Sequence, residues 1–255
     1  MRLATWNVNS LRVRLPQLLQ WLAARTPDVV CLQETKLEDP AFPLDTLRAA
    51  GYHSYFSGQK TYNGVAILSR VAAQDCAFGI PGFVDEQKRV VAASIGNVRV
   101  VCAYVPNGQS IDSDKYQYKL SWLAAFYHWL QDELTRYPAL AALGDYNIAP
   151  ADEDVHDAKA WEGQVLCSGP ERAALANLFS LGLKDSFRLS PQPEKSFTWW
   201  DYRMNAFRRN QGLRIDHVLL SEPLAARCRA VTIDRDVRKQ ERPSDHAPVV
   251  ADLAD

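Results

Sequence analysis

Gly144-Asp145-Tyr146-Asn147-Ile148-Ala149-Pro150 follows directly on the apolar run Ala139-Leu140-Ala141-Ala142-Leu143. That run is short and bounded by Pro138 and Gly144, the pattern of a buried strand. The chain is expected to turn at Gly144 and to present a carboxylate and a carboxamide two residues apart. In extended chain, residues i and i+2 face the same way, so Asp145 and Asn147 would converge on one point. Asp and Asn are also ordinary turn residues, and this stretch alone reads as a plain strand-to-loop turn. Its weight comes from recurrence.

The same arrangement appears at strand after strand. Arg2 to Val8 alternates as a strand and ends in Asn7-Val8-Asn9-Ser10. A helix follows, with Pro16 in its first turn and Leu15, Leu18, Leu19 and Leu22 at helical spacing. Asp28 to Leu32 is a second buried strand and runs into Gln33-Glu34, a carboxylate just past a strand end. Tyr52–Ser57, Val65–Ser69, Val90–Ile95 and Val98–Tyr104 read as strands, with Gly96-Asn97 a hairpin turn between the last two. The last ends in Tyr104-Val105-Pro106-Asn107-Gly108. Asp112 or Ser113 then caps a helix to about Arg136, with Trp122, Phe126, Trp129 and Leu130 on its buried face. Residues 151–169 show little periodicity and read as a surface loop, with no role assigned to His156, Asp157 or Cys167. A helix from about Glu171 to Leu181 ends at Gly182. Asp216-His217 opens a strand through Leu220, and Ser244-Asp245-His246-Ala247-Pro248 precedes a last strand, Val249–Leu253.

Composition narrows the class. With 255 residues, 47% of them hydrophobic and no linker or repeat, one domain over residues 1–255 is expected. Five dispersed cysteines without CxxC spacing fit reduced thiols in a cytoplasmic protein. No apolar run approaches membrane-spanning length. The net charge of −1 argues mildly against a nucleic-acid partner, but local clusters reverse that. Residues 196–216 interleave Phe197, Trp199, Trp200, Tyr202 and Phe207 with Arg203, Arg208, Arg209 and Arg214. Aromatics offer stacking faces and arginines phosphate contacts, the make-up of a nucleic-acid groove; a hairpin with core aromatics and solvated arginines is the equal alternative. Arg235, Arg238, Lys239 and Arg242 form a second basic cluster.

Taken together, the oxygen-bearing residues at these strand ends suit a hard cation, Mg²⁺ or Mn²⁺, more than zinc. A histidine beside an aspartate, with a further carboxylate to activate water, suits in-line attack on a phosphodiester. No P-loop, HExxH or serine-elbow pattern competes.

Six blocks resemble those of the exonuclease III family of apurinic/apyrimidinic (AP) endonucleases: Trp6–Ser10, Leu32–Lys36, Tyr104–Gly108, Gly144–Asn147, Gly212–Asp216 and Ser244–Pro248. They run in order nearly end to end. The resemblance implies a four-layer α/β sandwich, two mixed β-sheets packed face to face with helices outside. It implies Glu34 as principal metal ligand, assisted by Asn7 or Asn9 with Asp245 nearby, and Asp145 as the carboxylate that activates or positions water. The metal set so implied is Asn7, Asn9, Glu34, Asp145, Asn147 and Asp245. Asn147 resembles the amide that stabilises the pentacovalent phosphate, His246 the imidazole on the scissile phosphate, Asp216 its orienting partner and Tyr104 the active-site tyrosine. Asn107 resembles a phosphate contact; Trp199, Leu213 and Ile215 match the lining of a pocket for a flipped-out abasic sugar. Arg203 stands at a position that varies in the family and wedges into the duplex. With Trp200, Arg208 and Arg209 these residues make up the expected DNA-binding set.

The implied activity is Mg²⁺-dependent cleavage of double-stranded DNA 5′ to an abasic site in base-excision repair, by a monomer. The implied 3′-phosphatase, 3′-phosphodiesterase and 3′→5′ exonuclease activities accompany it. The alternatives are an enzyme specialised for blocked 3′ ends, with the poorly matching segment 156–169 shutting out internal abasic nucleotides, and a phosphatase of the same fold acting on other phosphoesters.

Overall fold

Alternation along the strands sorts side chains between two faces and so decides how the chain stacks. The computed structural model describes residues 1–254. Its elements are β1 (Arg2–Asn7), α1 (Leu11–Arg25), β2 (Val29–Gln33), α2 (Leu44–Ala49), β3 (His53–Ser57), β4 (Val65–Ser69) and β5 (Gln74–Phe78). There follow β6 (Val90–Ile95), β7 (Val98–Tyr104), α3 (Asp114–Arg136), β8 (Leu140–Asp145), α4 (Ala158–Trp161) and α5 (Gly169–Ser180). The chain finishes with β9 (Lys184–Asp185), β10 (Asp216–Leu220), α6 (Glu222–Ala225), β11 (Cys228–Ile233) and β12 (Val249–Leu253).

The strands form two six-stranded sheets, ordered β11-β12-β1-β2-β4-β3 and β5-β6-β7-β8-β10-β9. Val29, Cys31, Val65, Ile67, Val249 and Ala251 of the first sheet meet Val91, Ala93, Val100, Cys102, Ala141 and Leu143 of the second. The intervening residues point outward. Ala4, Trp6, Val30 and Leu32 pack against Leu11, Leu18 and Leu22 of α1. Ala92, Val101, Leu140 and Ala142 pack against Trp122, Phe126 and Leu130 of α3 and Leu175 of α5. A period of two along each strand, apolar on both faces, thus yields the expected helix–sheet–sheet–helix layering.

Each sheet is mixed. β1 and β2 run parallel, with Asn7 opposite Gln33; β7 and β8 run parallel, with Tyr104 opposite Asp145. α1 and α3 supply the two crossovers. A parallel pair brings two C-terminal ends to one edge, so Asn7, Glu34, Tyr104 and Asp145 leave their strands at the same end. β10 runs antiparallel to β8, which places Asp216 at its start opposite Asp145 at the other's finish.

Several local expectations are corrected. Pro16 is the sixth residue of α1, outside the first turn; Pro16 and Arg12 are exposed, so the Arg12 carbonyl that Pro16 leaves unpaired faces water. β5, β9 and β11 are additional strands, with mostly exposed side chains in β5 and β11 and without the apolar pattern that marks the central strands. Residues 151–169 hold a 3-10 turn, Asp152–Asp154, and the short helix α4. They then bury Leu166, Cys167 and Ser168. Residues 196–214 form no hairpin; Trp199 makes isolated bridges to Leu213 and His246.

Gly144 lies within β8, not at a turn. A Cβ there would collide with the carbonyl of Ala103 on the neighbouring strand, so glycine permits the close approach that carries Asp145 to the site. Gly144→Ala is expected to destabilise the protein by about 1–3 kcal/mol, the usual cost of forcing atoms into a packed interior. Urea denaturation measures it, and an unchanged midpoint would contradict the close-approach reading.

Candidate active site

Left-handed residues steer the chain as it leaves the strands. Asn9, Ser10, Glu34, Lys36 and Asn147 all have positive φ (43°, 88°, 51°, 53° and 49°), a conformation unfavourable for residues other than glycine. Backbone bonds hold the first two bends together: Val8 N donates to Gln33 O, Ser10 N to Glu34 O and Leu11 N to Thr35 O. Asn147 therefore reaches the site through a tight turn and not through extended chain. Its N–H donates to Asp145 Oδ1 at 2.9 Å.

Asn7 is the hub. Its Nδ2 donates to Glu34 Oε1 at 2.8 Å and to Asp145 Oδ2 at 2.9 Å. Tyr104 donates its hydroxyl to the same Glu34 oxygen at 3.0 Å, and Arg89 lies over its ring, 4.7 Å from the centroid. The other Glu34 oxygen pairs with Lys36 Nζ at 2.9 Å. On the far side, His246 Nδ1 is 2.9 Å from Asp216 Oδ2, and its Nε2 is 3.8 Å from Asp145 Oδ2. Thr198 Oγ1 accepts from the Asp216 and Ile215 amides, and Ser244 Oγ ties the His246 turn to β1 through Asn7 O. Asp245 accepts from Asn9 Nδ2 and Trp199 Nε1.

Burial sharpens the electrostatics, because the site has little water to screen it. Burial raises Asp145, His246 opposes it, and the Asp216 charge adds to it; the result is a carboxyl pushed up to about 7. Burial lowers His246, but Asp216 and Asp145 outweigh it and push the imidazole up to about 10. Glu34 is lifted by burial yet ends below its ordinary value through Lys36 and Asn7. Tyr104 is held well above the ordinary tyrosine range by burial and by Glu34 and Asp145.

Four carboxylates (Glu34, Asp145, Asp216, Asp245) thus face three cationic groups, Lys36, His246 and, near Asp245, Arg238. Asp216 Oδ1 is buried with no hydrogen-bond partner among the described residues. Glu34, Asp145 and His246 place ligand atoms within 4.8 Å of one another, a possible divalent-metal site. The excess negative charge and hard carboxylate oxygens fit a cation such as Mg²⁺. Asp216 fixes the His246 ring through Nδ1 and leaves Nε2 directed at Asp145, and the two carboxylates favour its protonated form.

The structure brings together Asn7, Asn9, Glu34, Tyr104, Asp145, Asn147, Asp216, Asp245 and His246. Three of the expected ligands have their amides engaged, Asn7 among them, its Oδ1 accepting from Asn9 N. Asn147 Oδ1 accepts from Asn107 and its Nδ2 donates to Val105 O. Asn9 Oδ1 accepts from Lys36, and its Nδ2 donates to Asp245. The expected DNA-binding set divides. Asn107, Arg203, Arg208 and Arg209 are exposed, and Trp199 is half-buried beside the site. Trp200 is a correction: it is fully buried in the core behind α1, with Nε1 bonded to Asn210 and Phe207 edge-on to its ring. It has no face free for a base. Arg214 is likewise buried, salt-bridged to Asp154 and Asp185, and Arg238 is buried and bonded to Ser244 O. Leu213 and Ile215 are buried in one apolar cluster with Val155 and Leu166. Lys36, Arg89, Thr198 and Ser244 hold the site without having been singled out in the sequence. Lys36, two residues beyond Glu34, had the clearest local signal.

Residues 4–246 match the Endonuclease/Exonuclease/phosphatase family. Over 99% of this chain and 100% of the relative, 38% of residues are identical to Exodeoxyribonuclease III of Haemophilus influenzae. A solved 3′ phosphatase, NExo from Neisseria, bound to product DNA hairpin, superposes with a TM-score of 0.98 at 48% identity, covering 100% of this chain and 99% of that one. An AP endonuclease from Archaeoglobus fulgidus gives 0.96 at 39%, covering all of both chains. With this fold, this cluster of strand-end carboxylates and these full-length likenesses, the chain belongs to the endonuclease/exonuclease/phosphatase family, as a nuclease of the exodeoxyribonuclease III kind.

Proposed function

We propose that this chain is a Mg²⁺-dependent DNA repair nuclease acting chiefly at 3′ ends, as 3′-phosphatase, 3′-phosphodiesterase and 3′→5′ exonuclease. Incision 5′ to an internal abasic site is the second reading. The observation that carries the preference is Leu166. It sits at φ 74°, buried in one cluster with Val155, Leu213 and Ile215, with Trp199 packed against them. Leu213, Ile215 and Trp199 match the sugar-pocket positions of the AP endonucleases, so the leucine takes the space an extruded abasic sugar requires. A terminal nucleotide need not be extruded from within a strand. The 48% identical Neisseria protein, described as a 3′ phosphatase, supports this choice; the Archaeoglobus AP endonuclease supports the second reading. The same proposal makes the protein a cytoplasmic, single-domain monomer whose partner is double-stranded DNA.

The residues divide the chemistry. When bound at Glu34 and Asp145 beside Asn7, Mg²⁺, or Mn²⁺ in its place, supplies positive charge that neutralises the phosphate oxygens. Asp145, fixed by Asn7 and by the Asn147 amide, accepts the proton of the attacking water. His246 keeps its proton and has no free acceptor nitrogen. It serves as an electrostatic clamp on the phosphate, with Asp216 fixing its ring. Asn147 gives one Nδ2 hydrogen to Val105 O and keeps the second for the phosphate. Tyr104 retains its proton and braces Glu34. Arg208 and Arg209 contact flanking phosphates.

Three outcomes test this. With Mg²⁺ and two end-labelled duplexes, one with an internal abasic-site analogue and one with a 3′ phosphate, the 3′ phosphate is released faster. Leu166→Gly narrows the gap by raising abasic-site cutting on the order of tenfold. Faster abasic-site cutting by the parent, with no response to Leu166→Gly, would favour the second reading. Asp145→Asn lowers kcat on either duplex by about 10²–10⁴-fold, the usual worth of a general base; retained turnover would remove Asp145 from the chemistry. In the metal-free protein, the His246 ring protons titrate near 10 and not near the ordinary 6.5. Because the folded value is raised, the stabilisation is complete below about 6.5 and is lost as pH rises through about 10. Asp216→Asn brings the midpoint down by NMR titration; a parent midpoint near 6.5 would exclude the clamp.

A further inference from the structure

Lys119 projects from α3 into the interior and is fully buried, where a lysine is seldom found unpaired. Its ammonium has three hydrogens and meets three acceptors: Glu171 Oε1 at 2.5 Å, Asn147 O at 2.7 Å and Asn107 O at 3.2 Å. Glu171, in the first turn of α5, is also fully buried. Its Oε1 accepts in addition from Leu166 N at 3.0 Å, and its Oε2 from the amide and hydroxyl of Ser168. Tyr116 OH closes on that same hydroxyl at 2.6 Å. Gly108 packs against the stem: a Cβ there would stand 3.2 Å from Lys119 Cδ.

One ion pair therefore touches three loops, and each loop borders the site. Asn107 and Asn147 bond to each other, and Asn147 N holds Asp145 Oδ1. Leu166 packs in the apolar cluster with Leu213 and Ile215, against Trp199. Asn147 and Leu166 both occupy left-handed backbone, which persists only where surrounding bonds over-determine it. Stability alone explains the pair poorly, because well-packed hydrophobic residues of equal volume commonly serve a fold as well as a buried ion pair or better.

We infer that Lys119 and Glu171 are positioning residues for the reaction, a buried clamp that fixes the Asn107, Asn147 and Leu166 loops about the phosphate. Neither touches the reacting atoms; they act through Asn147 on Asp145 and through Leu166 on the pocket. The inference rests on the reading of Asp145 and Asn147 as the reacting centre, and not on which DNA end is preferred.

The test is the double variant Lys119→Met/Glu171→Met, which removes both charges and keeps the volume. Kinetics are run on whichever of the two duplexes the parent cleaves. The expected result is a cooperatively folding protein whose kcat falls about 10–100-fold with KM within about threefold, the signature of a misplaced reacting group. Amide hydrogen exchange at Asn147 and Leu166 accelerates in the same variant. Glu171→Gln, which turns an amide NH₂ toward one of the donor groups, gives a smaller loss of kcat and keeps the fold should the double variant fail to form. A folded variant with parental kcat, or with parental protection of both amides, overturns the clamp. A parent inactive on both duplexes would instead count against the proposed function, and the exchange measurement would still decide the clamp.

Discussion

The Asp216–His246–Asp145 line, 2.9 Å on one side and 3.8 Å on the other, is the interaction on which the rest of the site depends. All three side chains are almost wholly buried. Unpaired, any of the charges would carry a desolvation penalty of several kcal/mol. The imidazolium makes two buried carboxylates tolerable, and they in turn keep it protonated. Strand register holds the line in place: Asp216 and Asp145 face each other across β10 and β8, while Trp199 bridges His246 to the Leu213 segment.

Around that line several bends carry backbone strain. Asn9, Ser10, Glu34, Lys36, Asn147 and Leu166 are all left-handed and all lie at the site or its pocket. Each such residue costs on the order of 1–3 kcal/mol. Backbone bonds among Ser10, Glu34, Thr35, Lys36, Asn63 and Gly64, and the Lys119–Glu171 pair on the opposite side, restrain the bends. Strain held this way orients donors and carboxylates before substrate arrives, so that little reorganisation is left to the reaction.

The same rigidity bears on substrate choice. Glu34, Asp145, Asp216 and His246 belong to strand ends and suit any phosphate ester of DNA, whereas Leu166 belongs to the loop between α4 and α5. Chemistry and selectivity are thus carried by separable segments, joined through a buried salt bridge at the root of α5.

The six motif blocks, the strands at 65–69, 90–95 and 98–104 and the Ser113-capped helix were legible in the amino-acid sequence, because apolar alternation, turn residues and caps are local signals. So were Glu34, Asp145, Asp216 and His246, each a polar residue abutting an apolar run. What Trp200, Arg214 and Arg238 do was not legible: a tryptophan or arginine reads the same whether it faces DNA or fills a core, and only distant partners such as Asn210, Asp154 and Ser244 decide. Gly144 looked like a turn and proved to be a point of close strand approach, since the carbonyl it must clear belongs to Ala103, about forty residues earlier. Asn147, Leu166 and Lys119 likewise depend on contacts across the layers. The sequence by itself determined the layered fold and the identity of the charged groups. Only the tertiary structure decided which of those charges are buried together, because burial and pairing are properties of the packed chain and not of any one segment.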